Sequence, residues 1–235
     1  MAKVLIVDDA AFMRMMIKDI LEVLSPTNLT FLLNGLGLTL YLSAIIIVLS
    51  TVLGTILAVM RNGKNAPLRW MASIYIEFVR NVPNLLWIFT IFLVFQLKST
   101  QAGLTAFTVF TSAALAEIIR GGLNSIDTGQ TEAGLSQGFT QFQILIYIIL
   151  PQAIRKMLPS IISQFVTVIK DTSLLYSVIA LQELFGASQI LMGRNFETTA
   201  VFTLYVVIAL VYFAINFAIS SFSRYLAKSW ASSME

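Results

Sequence analysis

The chain has 235 residues, of which 57% are hydrophobic and only 11% are charged. Soluble domains carry about 25% charged residues, so this composition excludes an ordinary soluble protein and predicts a membrane protein with several spans. Cysteine and histidine are absent, which excludes disulfides and removes the usual general base and zinc ligand. We therefore expect no catalytic residue, no metal site and no cofactor. The net charge of +3 includes no basic tract, so we expect no nucleic-acid partner.

Residues 1–24 differ from the rest of the chain. A short apolar run at residues 3–7 is followed by the acidic pair Asp8 and Asp9. The amphipathic helical pattern that comes next has an apolar face of Phe12, Met16, Ile20 and Val23. This fragment resembles the first strand and helix of a response-regulator receiver domain, up to about residue 22. One strand cannot form a sheet, so we infer no receiver function. We expect a fusion or expression leader that behaves as a surface amphipathic helix, followed by a transmembrane domain at residues 25–235.

Apolar segments predict an all-α integral membrane protein with about five transmembrane helices. The segments cover approximately residues 35–60, 70–97, 102–123, 158–169 and 198–222, and the fourth is short. Pro83 lies inside the second segment and favours a kink, because proline removes a backbone donor. Residues 174–198 combine amphipathic pieces with turn residues, which predicts a partly buried outer hairpin or a re-entrant segment.

The basic residues predict the orientation of the chain in the membrane. The segments expected inside hold Arg61, Lys64, Arg69, Arg120, Arg155, Lys156, Arg224 and Lys228. Apart from the leader, the segments expected outside hold only Lys98, Lys170 and Arg194. This bias predicts an N-terminus outside the cell and a C-terminus in the cytoplasm.

The longest polar interruption of the apolar pattern falls at residues 131–151. It begins with Glu132 and two small residues, contains Gly138, and ends at Pro151 after an apolar run. Small side chains let another surface approach the backbone closely, and the glutamate offers a negative charge. The pattern predicts a short helix near residues 130–137, a turn at Gly138, and a docking element that lies across the membrane surface.

This interruption resembles the EAA loop of importer-type ABC permeases. The six matching residues are Glu132, Ala133, Gly138, Ile148, Leu150 and Pro151. Only the second alanine differs, and Gly134 keeps that position small. Such a match is a specific signal, and the alternative is an ordinary cytoplasmic loop with a helix cap. The resemblance implies that a separate ATPase subunit couples to the chain through Gln130, Glu132, Ala133, Gly134, Gly138 and Pro151.

Two further motifs resemble the polar amino-acid permeases of that family. Residues 80–83 are similar to its R-N-x-P signature, and residues 170–174 to its K-D-T-S-L motif. The ammonium group of an amino acid needs carboxylate or carbonyl oxygens, and its carboxylate needs a basic side chain or a helix N-terminus. We therefore expect a substrate site formed by Arg80, Asn81, Glu77, Lys170, Asp171, Thr172 and Ser173.

Acidic and basic residues at helical spacing leave alternatives open. Glu77 and Arg80 are three residues apart and could instead form an internal ion pair that only holds helices together. Lys170 could instead be an interfacial cap whose side chain reaches the membrane surface. Glu117 and Arg120, in a stretch similar to the family's A-E-x-x-R-G-G motif, are expected to form an ion pair that packs helices.

The resemblance covers about residues 29–226 and implies the permease subunit of an ABC importer for a polar amino acid. The chain has no G-K-[ST] phosphate loop, so it is not expected to hydrolyse ATP itself. The implied location is the cytoplasmic (inner) membrane. The implied partners are ABC ATPase subunits, a second permease copy or a homologous permease, an extracytoplasmic amino-acid-binding protein and the lipid bilayer.

Two other functions stay open. The first is a stand-alone channel or proton-coupled carrier with Glu77, Glu117 and Asp171 as a relay. The second is a membrane-anchored signalling protein that is phosphorylated on Asp8 or Asp9.

Overall fold

The computed structural model describes residues 9–195 and 197–231, and every regular element within them is helical. The helices are α1 Asp9–Val23, α2 Pro26–Asn62, α3 Ala66–Asn81, α4 Asn84–Phe95, α5 Ser99–Asn124, α6 Thr128–Ser136, α7 Gln141–Asp171, α8 Leu174–Ile179, α9 Leu184–Arg194 and α10 Thr198–Ala231. The all-α prediction is confirmed.

Four helices, α2, α5, α7 and α10, are long and apolar enough to cross a membrane. The pair α3 and α4 qualifies as a fifth span only when taken together, and its axes are bent by 106° at the break. Pro83 lies at that break and supplies no N–H, while Val82 before it is extended at φ −103° and ψ 133°. The predicted kink and the predicted number of about five spans are both confirmed.

The prediction of a short fourth span is wrong. The apolar helix does not end at Pro151, because α7 continues for 31 residues from Gln141 to Asp171. Its turn at Ile144–Ile149 is π-helical, and Pro151 lies in the first turn of the α-helical part that follows. The wider π turn changes the hydrogen-bond pattern just where the proline lacks an N–H. A second proline, Pro159, is also accommodated inside the helix.

The helices α2 and α5 approach each other closely at Gly54. A Cβ atom built on Gly54 would lie 2.9 Å from the carbonyl oxygen of Ser112 and 3.0 Å from the Cβ of Leu115, so only glycine permits this contact. Buried apolar residues of both helices form a common core cluster that includes Leu42, Ile46, Ala106 and Phe107. This pair is the frame on which α3, α7 and α9 pack.

Helix α1 is amphipathic and lies on the surface of the bundle. Helix α1 packs on α10, with Val23 buried and Met16 and Ile20 half-buried, whereas Met13 and Leu21 on its other sides are exposed. The predicted strand at residues 3–7, Asp8 and the side chain of Phe12 lie outside the described residues.

Candidate functional site

Both ends of helix α6 are capped by local hydrogen bonds. Asp127 caps its N-terminus by accepting a bond from the backbone N–H of Gly129 at 2.6 Å. At the other end, the N–H of Phe139 donates to the carbonyl of Gly134 at 3.1 Å, and the N–H of Gly138 donates to the carbonyl of Leu135 at 2.9 Å. This pair of bonds is a Schellman motif, which needs a left-handed residue at Gly138. Its φ is +84°, so the predicted turn is confirmed.

One face of α6 is buried on the start of α7. A Cβ atom built on Gly134 would lie 2.8 Å from Cγ1 of Ile144 and 3.1 Å from Cδ1 of Ile148. The small size of Gly134 therefore serves a contact within the chain, although the sequence suggested an approach by another protein. Gln152, next to Pro151, donates to the side-chain oxygen of Gln130 at 3.2 Å and adds a polar link between the two helices.

The opposite face of α6 is open. Glu132 and Ala133 are exposed, and so are three large apolar side chains in and after the helix, Leu135, Phe139 and Phe142. Phe142 has 72% of its surface exposed. Large apolar groups beside an exposed acid, on a helix with a fixed backbone, are typical of a protein-docking surface.

Near the same end of the bundle, Glu117 is the centre of an ion network that joins three helices. Its side chain is only 16% exposed and lies 2.8 Å from Arg61 of α2 and 2.9 Å from Arg120 of α5. Arg80 of α3 is 3.8 Å away. Arg61 makes a second bond of 2.6 Å to Glu77. The predicted Glu117–Arg120 pair is present, and the network extends it to α2 and α3.

The expected substrate residues separate into two groups. Glu77 and Arg80 belong to the ion network, and Asn81 donates to the backbone carbonyl of Glu77 at 2.7 Å. Within the described residues, no hydrogen bond or ion pair joins this group to residues 170–173. Glu77 and Arg80 do not pair with each other. Each instead pairs with a residue of another helix, Glu77 with Arg61 and Arg80 with Glu117.

The second group lies at and just after the C-terminal end of α7, where Lys170 is exposed and Thr172 is buried. Lys170 lines a cavity of about 430 Å³ together with Tyr212 and Asn216, which lie near the middle of α10. The C-terminal end of α7 therefore lies opposite the middle of α10. Among the described residues, neither Lys170 nor Asp171 has an ion-pair partner within 4 Å, so a base and an acid without such partners are adjacent in sequence at the end of α7.

Thr172 and Ser173 make local contacts. The hydroxyl of Thr172 is fully buried and donates to the carbonyl of Ile169 at 2.8 Å. Ser173 donates to the carbonyl of Lys170 at 2.8 Å. Both residues shape the backbone that carries the charged pair.

A polar stripe leads from Lys170 along α7 towards the end of the bundle where α6 lies. Its members, spaced three or four residues apart, are Ser160, Ser163, Thr167 and Lys170. This spacing places them on one helix face. Of the four, Ser163 and Lys170 line a groove against α10, which contributes Ser220 and Arg224. The Oδ1 atom of Asn216, in the same wall, is buried and has no hydrogen-bond partner among the described residues. Such groups are costly in lipid, so the groove must meet water or protein.

Glu183 was not predicted from the sequence as a functional residue. This glutamate is fully buried between α8 and α9, next to Thr39 of α2 and Tyr212 of α10. A lone acid between two apolar segments is the signal that identifies it, because buried acids at membrane depth are rarely without a role. The signal was obscured by the turn residues around it, which favoured a surface hairpin.

The family described as "Binding-protein-dependent transport system inner membrane component" matches residues 50–232, and the chain belongs to it. It is a permease component of such a transport system, in keeping with its apolar spanning helices.

Proteins similar in sequence to this chain are also described as permeases. The chain is 42% identical over 213 residues to "Probable glutamine ABC transporter permease protein GlnP" of Bacillus subtilis (strain 168), with 88% of this chain and 97% of that protein covered. It is 36% identical over 217 residues to "Glutamate/aspartate import permease protein GltK" of Escherichia coli O157:H7, with 87% and 95% covered.

Solved structures share the fold. One described as "Crystal structure of an amino acid ABC transporter with histidines" has a TM-score of 0.79 at 29% identity and covers 85% of this chain and 94% of its own. The inward-facing MetNI methionine ABC transporter has a TM-score of 0.67 at 22% identity, with 86% and 99% covered, and supports the fold alone.

Proposed function

We propose that this chain is the membrane-spanning subunit of an ATP-driven importer for a polar amino acid, and that ATP is hydrolysed on separate ATPase subunits that dock on α6. The observation that carries this proposal is the geometry of α6. It is a short helix fixed on one face by Gly134 and on its C-terminal side by Gly138, and it presents Glu132 and an apolar rim outward.

The transport cycle follows from rigid-body motion. When ATP brings two ATPase subunits together, each pulls an α6 helix with it, and α7 moves because α6 is packed on it. A second permease copy or a homologous permease completes the translocation path, and an extracytoplasmic binding protein delivers the amino acid. The excess of basic residues on the α6 side supports a cytoplasmic position for that end, and with it an N-terminus outside and a C-terminus inside. Residues 1–24 act as a leader that precedes the transport domain at residues 25–235, and α1 packs on α10 of that domain.

The substrate site is formed around Lys170 and Asp171. Lys170 binds the carboxylate of the amino acid and Asp171 binds its ammonium group, since neither side chain forms an ion pair within 4 Å among the described residues. The cavity volume of about 430 Å³ lies within the usual range for small-molecule sites, about 300–1,000 Å³. Ser173 and Thr172 hold the backbone of this pair, while Glu77, Arg80 and Asn81 act in the ion network.

A crossed pair of variants tests the site. Equilibrium binding is measured on the detergent-solubilised permease–ATPase complex without the binding protein. Asp171→Asn should weaken binding of the amino acid more than binding of its deaminated analogue. Lys170→Met should weaken the amino acid more than its decarboxylated analogue. Equal losses for each ligand pair would mean that the two side chains are only structural.

The proton-coupled carrier is the rival function. Glu77 and Glu117 are both engaged by arginines, which argues against a relay that passes through them. Purification from the native host provides the test. An ATPase that copurifies, and whose activity rises with a binding protein and one amino acid, supports the importer. Uptake by vesicles that contain this chain without any ATPase subunit would overturn the proposal.

A further inference from the structure

Two basic residues line the groove between α7 and α10. Lys170 and Arg224 both line its cavity of about 430 Å³. A second cavity of about 240 Å³ continues the groove, because it shares Arg224 and Ser220 with the first and adds Ser163 of α7. Among the described residues that line the two cavities there is no aspartate or glutamate. The described walls of the groove therefore carry two positive charges and no negative one.

The guanidinium of Arg224 has donors to spare. The side chain is exposed and forms no ion pair within 4 Å among the described residues. One of its N–H groups donates to the hydroxyl of Ser221 at 2.8 Å. A guanidinium is always charged and has five N–H donors in a planar fork, so most of them remain for a ligand. That fork matches a carboxylate, which it can bind with two parallel hydrogen bonds.

The direction of the side chain distinguishes Arg224 from a surface anchor. Its guanidinium lies 5.6 Å from the centre of the Phe217 ring, and Phe217 lines the larger cavity. Phe217 and Ser221 precede Arg224 by about two and one helical turns, whereas α10 continues past Arg224 to Ala231. The charged group thus points back along the groove, while a basic side chain that anchors a helix reaches outwards to the membrane surface.

The two bases lie at different levels of the groove. Arg224 shares the smaller cavity with Pro159 and Ser163 of α7, which precede Lys170 in that helix. At 1.5 Å per residue, these levels are about 10–16 Å apart along the axis of α7. Because Pro159 is nearer than Lys170 to α6 along the chain, Arg224 lies on the α6 side of the groove. The groove therefore offers a carboxylate two successive positions.

We propose that Arg224 is a second carboxylate-binding residue of the transport path, which receives the carboxylate of the amino acid after Lys170 on the α6 side of the groove. This inference rests on the proposed function, which supplies the amino acid in the groove. Charged groups are costly in a membrane unless they have a partner. Passage between two cations keeps the carboxylate partnered, and division of the binding over two sites lets it leave each of them.

A cysteine reporter tests whether Arg224 acts on the groove. Ser163→Cys places a thiol in the smaller cavity, in a chain with no native cysteine. In the complete complex, the rates at which an anionic and a cationic methanethiosulfonate reagent modify this chain are followed by intact mass. Adding Arg224→Gln should lower the ratio of the anionic to the cationic rate about tenfold, because a unit charge a few ångströms away attracts one reagent and repels the other. Lys228→Gln, at a basic residue of α10 that is not among those lining the groove, should change the ratio little.

Import of a radiolabelled mixture of L-amino acids tests the role in transport. It is measured in proteoliposomes that contain the complete complex and its binding protein. Arg224→Gln should lower import about tenfold, the loss expected for one hydrogen bond to a charged group. Lys228→Gln removes an equal charge and should import as the wild type does. Neither variant should lower the melting temperature, since both side chains are exposed.

The outcomes are distinct. An unchanged reagent ratio in Arg224→Gln, or wild-type import by that variant, overturns the role of Arg224. An equal loss of import in Lys228→Gln also overturns it, because the effect would then come from surface charge. A loss that grows with the phosphatidylglycerol content of the liposomes would assign Arg224 to a lipid phosphate and overturn the proposal as well. If the wild-type complex imports no amino acid although the reagent ratio falls as expected, the proposed function fails and the positive charge of the groove stands.

Discussion

The turn at Gly138 offers a test of docking through α6. Replacing Gly138 by valine introduces a β-branched side chain at φ +84°. No atom lies within 4 Å of the new Cβ, so the whole effect comes from the backbone. A non-glycine residue in the left-handed region costs about 1–2 kcal/mol, which corresponds to about a 5- to 30-fold shift in an equilibrium. The Schellman turn should therefore open, and the C-terminal part of α6 should lose its fixed position.

The assay compares transport with ATP hydrolysis in the same proteoliposomes, which contain the complete complex and its binding protein. Gly138→Val should lower the number of amino acids imported per ATP, while the protein remains inserted and assembled. Gly138→Asn is the matched control, because asparagine tolerates the left-handed conformation better than other side chains. Gly193→Val introduces the same side chain at a position with open space and no positive φ, and should be neutral.

A wild-type ratio of import to hydrolysis in Gly138→Val would contradict docking through a fixed α6. So would an equal loss in Gly138→Asn, since the effect would then not depend on the left-handed conformation. A variant that fails to insert would indicate that Gly138 matters for folding of the spans, which the open space around it argues against.

Three other predictions follow from exposure and charge. Glu132→Lys reverses an exposed charge and should impair import in the same assay without lowering the melting temperature. Glu117→Gln should destabilise the protein by about 3–5 kcal/mol, as expected for breaking a buried pair. Glu77→Gln should cost only about 0–1 kcal/mol, because 55% of that glutamate side chain is exposed. Melting curves of the purified complex distinguish the two variants. Because the chain has no native cysteine, Ser163→Cys in the groove should react quickly with a water-soluble thiol reagent, and Leu210→Cys, on an exposed apolar face, should react slowly.

The features that depend on local sequence could be predicted. The turn at Gly138 and the break at Pro83 follow from backbone geometry, and the spans follow from long apolar runs. The length of α7 could not be predicted in this way. Prolines usually end helices, and only a π turn placed before Pro151 lets the helix continue.

The site depends on contacts between distant segments, which a single sequence does not specify. Glu77 and Arg80 lie three residues apart and were expected to pair or to bind substrate. In the fold, Arg61 from another helix reaches Glu77, and Glu117 is the acid nearest to Arg80. Glu183 illustrates the same limit, because its partners Thr39 and Tyr212 come from opposite ends of the chain.

The continuity of α7 connects the docking surface to the cavity. At one end, Ile144 and Ile148 hold α6 through Gly134, and at the other end the helix carries Lys170 and Asp171. A 31-residue helix is about 46 Å long, so one element reaches from α6 to the cavity lined by Lys170. A displacement of α6 must therefore move the charged pair relative to Tyr212 on α10, unless it is absorbed at the π turn or at Pro159. We expect those two points, where α7 departs from regular helical bonding, to determine how much of any motion of α6 reaches the proposed substrate site.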